Sequence, residues 1–305
     1  MRRWLVLGIT LVLVLVGALA LVVSRPSTAT PTQPIIVTTF HPLTAFVRPI
    51  IGSVAQVEQL VPAGSEVHDY QASPANLVAV RSADLVISNG ADLEQAWLDP
   101  LRAAAGSTAP QLTLAEALAD AVPLLRAEEE YAGGNQVNID PHLWVSPKNA
   151  VLIVQEIRDA IIAVDPAQRA TYETNAAAFI AELVTFDTEI EQTVQRFTQR
   201  EFIAFHNAFA YFARDYGLRQ VATIELTPGE APRPVELQRI RTLVAQYQLR
   251  GLFTEPQSSP VLVEQLAADL GIVVRELDPL ESAPIGESYI DGMRRNIAAL
   301  SDVLS

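Results

Sequence analysis

An apolar stripe that recurs every three or four residues, Tyr172, Ala176, Phe179, Leu183, Phe186, Ile190, Val194 and Phe197, constrains the fold of this chain more than any other feature. That spacing keeps every member on one face of a continuous α-helix. Asp165-Pro166-Ala167-Gln168 supplies its start: an acidic cap, a proline at the first helical position and a glutamine three residues after the cap. From 166 to 197 such a helix would span roughly 45–50 Å. A helix of this kind is either a coiled-coil dimerisation element or an internal strut. The strut is favoured, because strand and helix patterns alternate on both sides of it.

Before the stripe, short β-branched runs end at turn residues. Strands are predicted over 34–40, 54–60, 84–89 and 111–114, and helices over 43–51, from Ser73-Pro74 onward, and over 93–105 with a break or bend at Pro100. Ser146-Pro147 then provides a cap and a first-turn proline for a helix over 147–164. After the stripe the pattern resumes, with strands over 202–205, 220–226, 251–255 and 272–277 and helices over 207–216, 235–247, 260–270 and 289–304. Short strands alternating with helices imply parallel βα units. The expected fold class is α/β: two lobes with parallel-type sheets flanked by helices, at 34–165 and 199–305, joined by a single long rigid helix at 166–198.

Residues 1–33 report location. Met1-Arg2-Arg3 precedes an apolar run from 4 to 23, the pattern of an export signal. Ala18-Leu19-Ala20 offers a small-x-small cleavage site, and Ser27-Thr28-Ala29 a second one. The run is also long enough to remain as an N-terminal membrane anchor with Arg2 and Arg3 on the cytoplasmic side. The Pro/Thr-rich stretch that follows reads as a tether. Either way the body of the protein is expected outside the cytoplasm, in the periplasm or on the outer face of the cytoplasmic membrane. A formal net charge of −14 argues against a nucleic-acid partner. The absence of cysteine removes disulfides, thiolate zinc sites, iron–sulfur clusters and thiol nucleophiles.

The chain contains four histidines. In open parallel sheets ligands bind beyond the carboxyl ends of the strands. His206 and Asp278 each follow an expected strand, His68 lies in the loop after the second strand, and His142 sits in the stiff stretch Asp140-Pro141-His142 before a helix. Three imidazoles and a carboxylate would make a four-coordinate site suited to zinc. Each has an ordinary competitor: His142 as a hydrogen-bonded loop residue, His206 as a core histidine, Asp278-Pro279 as a simple turn, His68 as a solvated residue beside Asp69. His41, in Phe40-His41-Pro42, also ends a strand and stays open as a ligand. The acidic stretch at 123–138, with Glu128-Glu129-Glu130 and Gly133-Gly134, reads as a surface loop, with metal scavenging as the minor alternative.

Several longer motifs run through the chain: Gly64-Ser65-Glu66-Val67-His68-Asp69-Tyr70, Ala83-Asp84-Leu85-Val86-Ile87-Ser88-Asn89-Gly90, Asp140-Pro141-His142-Leu143-Trp144, Phe205-His206-Asn207-Ala208-Phe209, Thr254-Glu255-Pro256-Gln257 and Leu277-Asp278-Pro279-Leu280. With these the chain resembles the solute-binding proteins of zinc and manganese ABC importers, from about residue 35 to residue 304. The resemblance implies two α/β lobes bridged by a rigid helix, with metal in the cleft between them. Matched by motif, the ligands would be His68, His142, His206 and Asp278, and His41 falls outside the ligand motifs. The implied partners are a divalent metal ion and the permease and ATPase of an ABC transporter, with the receptor a monomer and not an enzyme.

Two departures stand out. Zinc-selective members often carry a histidine-rich loop before the second ligand, and 123–138 has no histidine. Relatives often place a proline where this chain has Val67. A third imidazole at His206, where manganese members tend to have a carboxylate, favours zinc, with manganese the alternative. A zinc hydrolase with an open water position is the enzymatic alternative, and a fourth protein ligand at Asp278 argues against it. A metal-independent adhesin is the third class. Asp69, Asp140, Glu225 and Glu255 are candidates for hydrogen bonds to the imidazoles.

Overall fold

Each strand here is three to five residues long and is followed by a helix, and every strand pairing is parallel. The structure, a computed structural model, describes residues 33–126, 139–224, 233–256, 258, 260–281, 283–284 and 286–305. The expected export segment, all but the last residue of the tether, and most of the acidic stretch at 123–138 lie outside the described residues.

The N-terminal half runs β1 (Ile35–Thr38), α1 (His41–Ile51), β2 (Gln56–Gln59), α2 (Pro74–Ser82), β3 (Leu85–Ser88), α3 (Gln95–Ala105), β4 (Gln111–Thr113) and a short α4 (Leu114–Ala117). The sheet order is β2-β1-β3-β4. β3 is buried at every position, as expected for a central strand covered on both faces. α1 begins two residues earlier than the sequence predicts, because Pro42 in the first turn would have no intrahelical partner for an N–H in any case. α3 continues through Pro100 rather than breaking there. One missing hydrogen bond is outweighed by burial of Trp97, Leu98, Leu101 and Ala105 along its inner face.

α5 (Pro147–Val164) is capped by the Ser146 hydroxyl, which accepts from the Asn149 N–H at 3.4 Å. A 3-10 turn at Pro166–Gln168 leads into α6 (Arg169–Val194). The expected Asp165 side-chain cap does not form. Its carboxylate instead accepts from the Tyr172 hydroxyl at 2.7 Å, tying the turn to the first buried residue of the stripe. With 26 residues, α6 is about 39 Å long. It packs antiparallel to α5, and Lys148 at the start of α5 pairs with Glu191 near the end of α6 at 2.5 Å.

The C-terminal half repeats the order: β5 (Glu201–Ala204), α7 (Ala210–Tyr216), β6 (Arg219–Thr223), α8 (Pro234–Tyr247), β7 (Gly251–Thr254), α9 (Pro260–Leu270), β8 (Val273–Glu276) and α10 (Tyr289–Leu304). β5 pairs with β6, β7 pairs with β8, and β5 lies beside β7. The spatial order β6-β5-β7-β8 thus mirrors β2-β1-β3-β4.

Residues Pro34–Ser305 form one compact unit. Its main apolar core is continuous from β1 and β3 through α5 and the α6 stripe to α7 and α10. A second core lies between β5–β8 and helices α8 and α9. The stripe is consumed inside the chain: Tyr172, Ala176, Leu183 and Ile190 are fully buried. α6 packs on α1 from the N-terminal half and on α10 and α7 from the C-terminal half, which is the strut geometry rather than the coiled-coil one. Asn175 reaches across to donate to the Ile50 carbonyl at the end of α1, at 3.0 Å.

Candidate metal centre

Parallel strands put their carboxyl ends on one edge of each sheet, where ligands usually bind. Among the described residues, one group of potential metal-binding side chains stands out: His68, His142, His206 and Glu281, whose donor atoms lie within 4.8 Å of one another. Two come from the N-terminal half and two from the C-terminal half.

His206 stands just after β5, two residues past its last position. Its Nδ1 lies 2.6 Å from Glu255 Oε1, immediately after the neighbouring strand β7. The pair bridges the place where strand order reverses, the usual ligand edge of such a sheet. His142 precedes the 3-10 turn at Leu143–Val145. Asp140 Oδ1 accepts from both the His142 backbone N–H at 2.9 Å and Nδ1 at 2.7 Å. In both residues a carboxylate on Nδ1 fixes the tautomer and turns Nε2 toward the group. The two Nε2 atoms face each other at 3.3 Å.

The Asp140–His142 corner is itself braced. Asn89, at the end of β3, donates to the Pro141 carbonyl at 2.8 Å. Buried Glu94 in turn accepts from the Thr39 hydroxyl and the Asn89 N–H, each at 2.7 Å. Burial raises the Glu94 carboxyl above its ordinary value, against the pull of these donors. His68 is held more loosely, on the loop after β2. The Trp97 indole donates to the Val67 carbonyl at 3.1 Å, and the Tyr70 hydroxyl donates to the Leu60 carbonyl at 3.1 Å. The His68 side chain is 26% exposed, against 6% for His142 and 12% for His206. It is therefore the imidazole that solvent reaches first.

Glu281 lies in the loop between β8 and α10. Its Oε1 is 3.2 Å from His142 Nε2 and 3.8 Å from His206 Nε2, and its Oε2 is 3.9 Å from His68 Nε2. Glu281 Oε1 and His68 Nε2 are both buried without a hydrogen-bond partner, so the donors converge on a point rather than satisfying one another. Burial alone would depress His142, but Asp140 and Glu281 raise it to about 10. The same opposition, with Glu255 as the main acidic neighbour, leaves His206 at about 8. Burial depresses His68 to about 4, helped by the two other imidazoles against Glu281. Glu281 is held down at about 2 by the three histidines despite its burial.

Asp278 is not part of this group. It is buried, and its Oδ1 accepts from the Leu280 N–H at 2.7 Å. Glu281, three residues on, supplies the carboxylate instead. An aspartate in a turn commonly hydrogen-bonds the backbone two residues later, a tendency that does not by itself choose Glu281 over Asp278. His41 lies outside the group too, buried with neither ring nitrogen hydrogen-bonded and depressed to about 4 by burial. Of the four candidate supporting carboxylates, Asp140 and Glu255 hold imidazoles, Asp69 acts on His68 only through its charge, and Glu225 lies outside the described residues.

The sequence model of the ZnuA family, described as the periplasmic component A of the zinc-uptake complex, matches residues 36–303. This chain belongs to that family. Among members of the ZnuA family, the zinc-binding lipoprotein AdcA of Streptococcus pneumoniae is 32% identical over 276 residues, which are 87% of this chain and 54% of the relative. This chain therefore spans about half the length of that relative. The high-affinity zinc uptake system protein ZnuA of Bacillus subtilis is 30% identical over 278 residues, 88% of this chain and 87% of the relative. A crystal structure of ZnuA superposes with a TM-score of 0.79 at 31% identity, covering 90% of this chain and all of that one, 100%. The ZnuA-family fold accounts for the paired α/β halves and the long joining helix described above.

Proposed function

We propose that this protein is an exported receptor that captures Zn²⁺ between its two halves and hands it to the permease of an ABC importer, whose ATPase drives uptake. The ligands in this reading are His68, His142, His206 and Glu281. The observation that carries it is the convergence of three imidazole nitrogens and one carboxylate on a common point, with a further carboxylate, Asp140 or Glu255, behind each of two of the imidazoles. Two donors each about 2.0–2.1 Å from a tetrahedral zinc lie about 3.3 Å apart. The His142–His206 and His142–Glu281 separations of 3.3 and 3.2 Å match that edge, and the His206–Glu281 separation of 3.8 Å is somewhat longer.

The donor set favours zinc over manganese, because imidazole suits a borderline cation and a manganese site would be richer in carboxylate. Four protein donors also fill a tetrahedral sphere and leave no position for an activated water, which supports a carrier rather than a hydrolase. The zinc-binding names of the relatives and the periplasmic description of the family support the same reading.

Elemental analysis of the purified protein, followed by competitive titration of Zn²⁺ against Mn²⁺ with a chelating indicator, tests it. One equivalent of zinc, retained against excess manganese, is the expected result. Glu281→Gln and His142→Ala should each weaken binding at least tenfold, and His41→Ala should leave it within about twofold. These ratios correspond to about 1.4 kcal/mol or more for a lost ligand and under half that for His41. Equal losses at His41 and His142 would overturn the ligand set, and stoichiometric retention of manganese alone would overturn the choice of metal.

A further inference from the structure

We propose that Asp278 and Asn296 are positioning residues that form the turn carrying Glu281 and aim its carboxylate at the three imidazoles. The inference rests on the metal-receptor reading above. The loop leaving β8 bends at Leu280 while Asp278-Pro279-Leu280-Glu281 stay buried. Its Leu280 adopts a left-handed backbone, with φ of +69°, which a branched apolar residue takes up only when its surroundings impose it.

Three contacts impose it. The Asp278 carboxylate accepts from the Leu280 N–H at 2.7 Å, closing the turn from within. Asn296, on α10, clamps both backbone groups of Asp278: its Oδ1 accepts from the Asp278 N–H at 2.8 Å and its Nδ2 donates to the Asp278 carbonyl at 2.6 Å. The Trp144 indole, two residues after His142, donates to the Pro279 carbonyl at 2.7 Å. The Leu280 side chain then rests on Gly292, where a Cβ would fall 2.5 Å from its Cδ2. Each contact fixes one residue of the turn, and Glu281 is the first residue beyond them. The turn is also tied to the other half of the site, because the Tyr289 hydroxyl donates to the Trp144 carbonyl at 2.8 Å.

A ligand and a turn-former differ in what they need from residue 278. A ligand needs a charged oxygen, whereas the turn needs only an oxygen acceptor, which an amide also supplies. The test measures Zn²⁺ affinity by chelator competition, and the visible absorption of the Co²⁺-loaded protein, for the full chain and for Asp278→Asn, Asp278→Ala and Glu281→Gln. Asp278→Asn should keep the dissociation constant within about threefold and leave the Co²⁺ bands in place. Asp278→Ala should weaken binding at least tenfold and move the bands toward those of Glu281→Gln. An Asp278→Asn protein as impaired as Glu281→Gln overturns the proposal, because the charge and not the turn would then matter. An Asp278→Ala protein that binds like the parent overturns it as well. If Asp278→Ala does not fold, the comparison of Asp278→Asn with Glu281→Gln decides alone. A parent protein that takes up neither metal rejects the receptor reading itself, and with it this inference; the other two failures leave that reading standing.

Discussion

His142 and His206 each lean on a carboxylate through Nδ1 and face the metal position through Nε2, so their protons and the metal compete for the same atoms. Against the effect of burial, acidic neighbours raise His142 to about 10 and His206 to about 8, so both should be charged at neutral pH in the metal-free protein, while His68, lowered to about 4 by burial, should not. Metal binding at pH 7 should therefore release about two protons, and the apparent affinity should fall about a hundredfold per pH unit as pH drops from 7 to 5. The third proton enters only near pH 4. Above neutral pH the metal-free protein should lose stability as pH rises. Both histidines have folded pKa values above the unfolded one, so their contribution to stability is complete below about 6.5. It is lost as pH rises through about 8 and 10. Calorimetry in buffers of different ionisation heat measures the proton release, and zero protons released at pH 7 would contradict the arrangement of these side chains. Chemical denaturation of the metal-free protein at pH 7 and pH 10 checks the stability trend.

At the scale of the element, α6 decides how the halves are joined. One of its faces is buried along the full length, from Tyr172 to Val194, against helices of both halves. Phe186 sits at 2% exposure with the Arg294 guanidinium 5.4 Å from its ring centre, whereas Val184, on the opposite face, is 51% exposed. Phe186→Ala should cost about 3–5 kcal/mol of stability, the usual range for a buried aromatic. Val184→Glu should change stability by less than about 0.5 kcal/mol. Urea denaturation of the metal-free protein gives both values. A large loss at Val184, accompanied by a change in sedimentation, would reveal a partner on the exposed face.

Across the whole molecule, a core continuous from β1 to α10 leaves little freedom to swing one half against the other. Bending α6 would break backbone hydrogen bonds and expose apolar area at about 25 cal/mol per Å². Apo and zinc-loaded protein should therefore share one radius of gyration in small-angle scattering. The adjustment should fall on the His68 loop, because the His68 side chain is 26% exposed, against 6% for His142 and 12% for His206. Zinc should also raise thermal stability, by about 4 kcal/mol at a thousand times its dissociation constant. A clear contraction on adding zinc would reject the strut as a fixed spacer.

The sequence alone determined the order of strands and helices, the long helix and its buried face, and it placed His68 and His206 in loops beyond strand ends, while the grouping of those two with His142 and without His41 came from the family resemblance. The elements and that placement follow from local periods of two and three to four residues and from the rule that parallel strands gather their carboxyl ends on one edge. Pro100 and Asp165 misled it, since burial of Trp97 and Leu101 overrides one missing hydrogen bond and Tyr172 draws the Asp165 carboxylate away from the helix start. Only the tertiary structure separated Asp278 from Glu281. Two acids three residues apart in one loop look alike in sequence, and the chain between them passes through a left-handed Leu280 in a turn bonded at Asp278 by Asn296 from α10 and at Pro279 by Trp144 from the other half. Those contacts join residues 18 and 135 positions apart, a separation that no local pattern can register.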